Sequence, residues 1–299
     1  MTPNLIDTEL DPNLIDAESE LDPDFDDPDF DDPDRAPITE LDTSHLDIED
    51  DAPVDNFQSE VQQRLLVEPL YSSQALPSPF LAAANVGVFY KLHGEPIVPD
   101  VFLSLGVQRS ADYTQRQNRT YFVWEFGKVP EVCIEIVSNR QGDELTLSRR
   151  SQRKGKTVAK KDIYAQIKVD YYVVFDPLQQ LPGETDMNGA LLRVWGIGAG
   201  GYSELTPPQG LRDVGQFVWL DGVGIGLTLW EGGYEEDLSR LWLRWCDREG
   251  QVIPTGAERA EQERQRAEAE RQRAERAEQR AARSAELLRQ QGIDPDTLV

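Results

Sequence analysis

Short apolar runs with a period of two fill the middle of this chain. Ala82–Tyr90, Val98–Val107, Pro130–Ser138, Asp170–Pro177 and Ala190–Ile197 are rich in β-branched and aromatic residues and bounded by Pro or Gly, so each is expected to be a strand. Gln216–Leu220 and Gly224–Trp230 extend the β-rich part, while Tyr121–Glu125 fits a short strand and the Trp-rich Leu238–Cys246 a short helix or strand. The glycines between Gly196 and Gly201 open no helical pattern. With Tyr202–Leu205 as a return arm they predict a hairpin turn. Helical spacing appears three times. Ser59–Leu70 places Val61, Leu65 and Leu66 on one face, and Lys160–Ile167 points Ile163, Tyr164 and Ile167 at a core. From Glu258 to Gln291 almost every residue is Ala, Glu, Arg or Gln, strong helix formers with compensating charges.

One position breaks the apolar pattern. Alternation puts Val132, Ile134 and Ile136 on one face of their strand and Cys133, Glu135 and Val137 on the other, so Glu135 is a carboxylate among core residues. A buried charge is costly unless it is paired or bound to a metal. Asp100, after Pro99 at the mouth of its own strand, is the simplest companion, with a divalent cation between the two. A structural ion pair between Glu135 and Lys160 is the plainer alternative.

Charge divides the chain. Residues 1–55 contain 21 acidic side chains and a single arginine, Arg35, so nearly all of the net charge of −25 lies there and the rest is only mildly acidic. Two internal repeats (Pro3–Asp7 in Pro12–Asp16, and Pro23–Asp27 in Pro28–Asp32), scattered Pro and isolated apolar residues predict a disordered acidic tail. After Ser138 the balance reverses, with Arg140, Arg149, Arg150, Arg153, Lys154, Lys156, Lys160 and Lys161. Cys133 and Cys246 form no metal-binding or disulfide pattern. The first residues lack the basic and apolar runs of a signal peptide, and no apolar run approaches the ~20 residues that span a bilayer, so a soluble, cytoplasmic protein without membrane partners is expected.

The ordered words Pro99-Asp100-Val101, Glu135-Ile136-Val137-Ser138, Lys160 four residues before Tyr164, and Tyr171–Pro177 resemble the PD-(D/E)XK nuclease superfamily, and more closely its Uma family of restriction-endonuclease domains. The resemblance covers roughly residues 60 to 250. It implies an α/β fold with a restriction-endonuclease-like core, a central mixed β-sheet flanked by helices, and magnesium- or manganese-dependent cleavage of DNA. The implied catalytic set is Asp100, Glu135 and Lys160, and the implied metal ligands are Asp100, Glu135 and the backbone carbonyl of Ile136. Val137 stands where the superfamily carries its lysine, so the amine moves to the following helix, at Lys160 or, failing that, Lys161. Arg140, Lys154 and Lys161 are candidate phosphate contacts, and Glu60 on the first helix is a candidate helper of the metal. The expected organisation is an acidic tail over 1–55, a nuclease domain over 56–250 and a charged helix over 251–299. A thin seam on a seven-residue repeat, Ala260, Ala267, Ala274, Ala281 and Leu288, offers that helix a homodimer or a helical partner through 257–291. The rival expectation is a catalytically inactive scaffold acting through the same helix.

Overall fold

The computed structural model describes residues 56–146, 158–235 and 239–292. The acidic tail and the basic segment 147–157 lie outside the described residues. Helix α1 (Phe57–Ser72) is capped by Asn56, whose Oδ1 accepts from Ser59 N at 3.0 Å. Leu65, Leu66 and Leu70 are fully buried, while Val61 is only half-buried. Two glutamines turn inward beside them. Gln62 exchanges two hydrogen bonds with the backbone of Leu243 (2.8 and 2.9 Å), and Gln63 reaches toward Asp100.

Strands β1 (Phe80–Ala84), β2 (Val88–Phe89), β3 (Val101–Leu105), β4 (Tyr121–Phe122), β5 (Val132–Ile136), β6 (Tyr171–Phe175), β7 (Leu192–Gly198) and β8 (Gly201–Glu204) follow. Six of them make the central sheet in the order β1-β3-β5-β6-β7-β8. Only β5 and β6 run parallel, and helix α3 (Lys160–Gln166) lies in the crossover between them; the sheet is therefore mixed, with helices alongside, as expected. A separate meander of β9 (Phe217–Leu220), β10 (Ile225–Gly232) and β11 (Arg240–Cys246) forms a three-stranded sheet, so the Trp-rich segment is a strand.

The two faces of β5 lead into two cores. Val132, Ile134 and Ile136 pack with Val101, Val173 and Phe175 against Leu227, Leu243 and Trp245 of the meander and Leu66 and Leu70 of α1. Cys133 and Val137 pack on the opposite side with Phe102, Tyr172, Val174 and Tyr164 of α3. Each buried side chain of this size contributes about 1.5–3 kcal/mol, so a slip of β5 by one residue would invert both cores and is strongly disfavoured.

Two expected boundaries change. Ala82–Tyr90 is not one strand: Asn85 takes a left-handed conformation (φ 51°), which Asn tolerates better than most residues, and β2 leaves the main sheet to pair with β4. Tyr121–Glu125 divides into β4 and the helical turn α2 (Val123–Phe126), which ends at Gly127 with φ 70°. The last helix, α4 (Gly256–Gln290), begins with a capping box between Thr255 and Glu258. Arg244 of β11, buried to 1 %, grips the Glu258 carboxylate with both terminal nitrogens at 2.8 and 2.6 Å. Ala260, Ala267, Ala274 and Ala281 are exposed. Among the described residues no helix is long and apolar enough to cross a membrane.

Candidate metal centre

The antiparallel register of β3 and β5 pairs Val101 with Ile134 and Phe102 with Cys133. Continued by one residue, it sets Asp100 opposite Glu135, on the face covered by α3. Sequence alternation and strand register thus converge on two buried carboxylates, 8 % and 1 % exposed. Each is held by groups from a different element. The Asp100 Oδ2 accepts from the Ile136 backbone N–H at 2.6 Å, and its Oδ1 accepts from Gln63 Nε2 at 3.2 Å. Gln63 is itself oriented by Asn85, whose Nδ2 donates to Gln63 Oε1 at 2.9 Å.

Glu135 is gripped from α3. Lys160 Nζ lies 2.7 Å from Oε2, and Tyr164 Oη donates to Oε1 at 2.8 Å. Residues four apart on a helix face the same way, which is why one short helix reaches both carboxylate oxygens. The start of that helix is fixed by the preceding turn, where Lys160 N donates to Asp143 O (2.9 Å) and Lys161 N to Glu144 O (3.2 Å).

The electrostatics follow from burial. Desolvation pushes the Glu135 carboxyl up to about 8, with the Asp100 charge adding to the rise and Lys160 and Tyr164 opposing it. For Lys160 burial works against the ammonium, but Glu135, Asp100 and Glu144 outweigh it and raise its pKa. The Cys133 thiol beside them is raised well above its ordinary value by burial and offers no thiolate. Burial likewise raises Glu144, which lies in the fields of Lys160, Asp143 and Asp100.

The other candidates lie elsewhere. Lys161 places its Nζ 4.1 Å from the centroid of the Trp195 ring, so it does not share the Glu135 carboxylate with Lys160. Arg140 is exposed in the turn after β5. Lys154 falls outside the described residues. Glu60 pairs with Arg64 at 2.6 Å, and the α1 side chain bonded to Asp100 is Gln63, three residues further on. The family model described as Uma2, putative restriction endonuclease, matches residues 46–181. This stretch of the chain is similar to that family. A comparison with curated proteins gave no match.

The Uma2 match takes in α1, the strands β1–β6, α3 and all of Asp100, Glu135 and Lys160, while β7–β11 and α4 lie beyond it. Within the matched stretch the donor chemistry fits a hard divalent cation. The two facing groups are carboxylates, and their mutual repulsion in a buried setting is what such a cation would relieve. No group of three His, Cys, Asp or Glu side chains among the described residues is arranged to hold a metal. Sequence reasoning missed Gln63 as the partner of Asp100, Tyr164 as a donor to Glu135, and Glu144. A polar residue on the buried face of α1 was the available signal for Gln63.

Proposed function

We propose that the stretch similar to Uma2 is a divalent-metal-dependent endonuclease that hydrolyses DNA phosphodiester bonds. The observation that carries this reading is the facing pair Asp100 and Glu135 with Lys160 on the same carboxylate. Asp100, Glu135 and the Ile136 carbonyl would hold a divalent ion, which would supply Lewis-acid neutralisation of phosphate charge. The chain's own groups do the rest. Gln63 and the Ile136 N–H keep the Asp100 oxygens in place, and Tyr164 keeps Glu135 turned to the same side. Lys160, protonated, orients the attacking water and offsets the negative charge that builds on the phosphoryl oxygens. Arg140, exposed in the turn after β5, would contact a flanking phosphate, a contact that gives affinity without sequence information.

The exposed length of α4 favours a second reading, a scaffold that recruits a partner through this helix. Cleavage of supercoiled plasmid by the full chain separates them. Nicking that requires magnesium or manganese and disappears in Asp100→Ala, Glu135→Ala and Lys160→Ala supports the nuclease. A preparation that neither cuts DNA nor binds metal leaves the scaffold.

A further inference from the structure

Lys160 is bonded to a carboxylate that the proposed cation also needs. Its Nζ lies 2.7 Å from Glu135 Oε2, with the Val98 carbonyl accepting at 3.4 Å. An ammonium and a divalent cation cannot share one carboxylate oxygen without strong repulsion, so loading the centre requires the ammonium to move. Glu144 offers it a destination. The residue is 7 % exposed, and its Oε2 is buried without a hydrogen-bond partner among the described residues, a costly condition for a carboxylate oxygen.

The Glu144 backbone is fixed where such a seat is useful. Its carbonyl accepts from Lys161 N at 3.2 Å and from Tyr172 Oη at 2.8 Å, while Asp143 O accepts from Lys160 N at 2.9 Å. The 143–144 turn therefore packs directly on the first residue of α3. Lys160 and Glu144 also lie in each other's electrostatic field.

We infer that Glu144 is a positioning residue, the second seat to which the Lys160 ammonium transfers from Glu135 when a divalent cation binds. This rests on the nuclease reading, and deepens it by coupling metal loading to placement of the lysine. Glu144 acts through Lys160 and not on the cation.

The test is a manganese titration of the full chain by calorimetry, with wild type, Glu144→Gln, Lys160→Met and the double variant. Lys160→Met removes the competing ammonium and should tighten manganese binding. Glu144→Gln leaves the displaced ammonium without a charged acceptor and should weaken binding by about tenfold, within the range for residues coupled in one network. In the double variant the Glu144→Gln effect should vanish, so that its affinity equals that of Lys160→Met. Thermal melts check folding. If Glu144→Gln does not fold, Glu144→Asp takes its place in the same cycle, with a smaller weakening that Lys160→Met again removes. An unchanged affinity in the single Glu144 variant overturns the inference. So does a weakening that persists in the double variant, since Glu144 would then act on the metal itself. Wild type that binds no manganese, with Glu135→Ala indistinguishable from it, overturns the nuclease reading on which the inference stands.

Discussion

Glu135→Gln removes the charge of the proposed centre while keeping its volume, and its effect on stability is expected to depend on pH in a defined direction. In the folded, metal-free protein burial pushes the Glu135 carboxyl up to about 8. An unfolded glutamate titrates near ~4.3. Between those values the folded chain binds more protons than the unfolded one, so stability falls as pH rises. Glu135 contributes fully below about pH 4, and that contribution is lost as pH climbs through about 8. The slope is roughly 1.4 kcal/mol per pH unit at most, and over the whole interval the loss amounts to about 3–5 kcal/mol. This is a large share of the 5–15 kcal/mol typical of a folded domain. Urea denaturation of wild type and Glu135→Gln from pH 5 to 9, with chelator present, measures it. Subtracting the two curves cancels the titrating groups that do not interact with Glu135. We expect near-equal stabilities at pH 5 and a variant that is several kcal/mol more stable at pH 8 to 9. Adding millimolar magnesium should restore wild-type stability at high pH and leave the variant unchanged. A difference between the two proteins that is flat from pH 5 to 8 would refute the reasoning, because Glu135 would then ionise in the folded chain as easily as in the unfolded one.

Three further outcomes are expected. Tyr164→Phe strands the Glu135 Oε1 that now accepts at 2.8 Å, and should cost about 1–3 kcal/mol in a denaturation experiment. Arg244→Met leaves the half-buried Glu258 carboxylate without the guanidinium that holds it, and should destabilise by about 1–3 kcal/mol. Hydrogen exchange should speed up in the first turn of α4, and unchanged protection there would contradict the assigned anchor. Lys161→Ala, which loses the cation–π contact with Trp195, should retain plasmid nicking under conditions where Lys160→Ala loses it; equal loss in both would move the amine.

The strand pattern was legible because β5 has two buried faces that a sequence can display: Val132, Ile134 and Ile136 on one, Cys133 and Val137 on the other. Glu135 stood out as the only charge in that alternation, and Lys160 and Tyr164 were linked by simple helical spacing. What the pattern could not carry was non-local. Nothing in Asn85 announces that it turns left-handed and ends β1, since the choice depends on how β2 pairs with β4. Glu60 and Gln63 are both polar residues of α1, and only the packing of that helix shows that Gln63 meets Asp100 while Glu60 pairs with Arg64. Glu144 lies in a turn whose backbone bonds run to α3 and β6, so its burial depends on contacts across the crossover. Leu238–Cys246 admitted helix or strand because a short Trp-rich run fits either; its pairing with β10 decided the matter.

The most direct measurement of the central claim is anomalous diffraction from crystals of the full chain soaked in manganese. The account predicts a peak within coordination distance, about 2.0–2.3 Å, of carboxylate oxygens from both Asp100 and Glu135, with Lys160 withdrawn from Glu135. No peak between those carboxylates at saturating manganese, and a Lys160–Glu135 ion pair still in place, would contradict it.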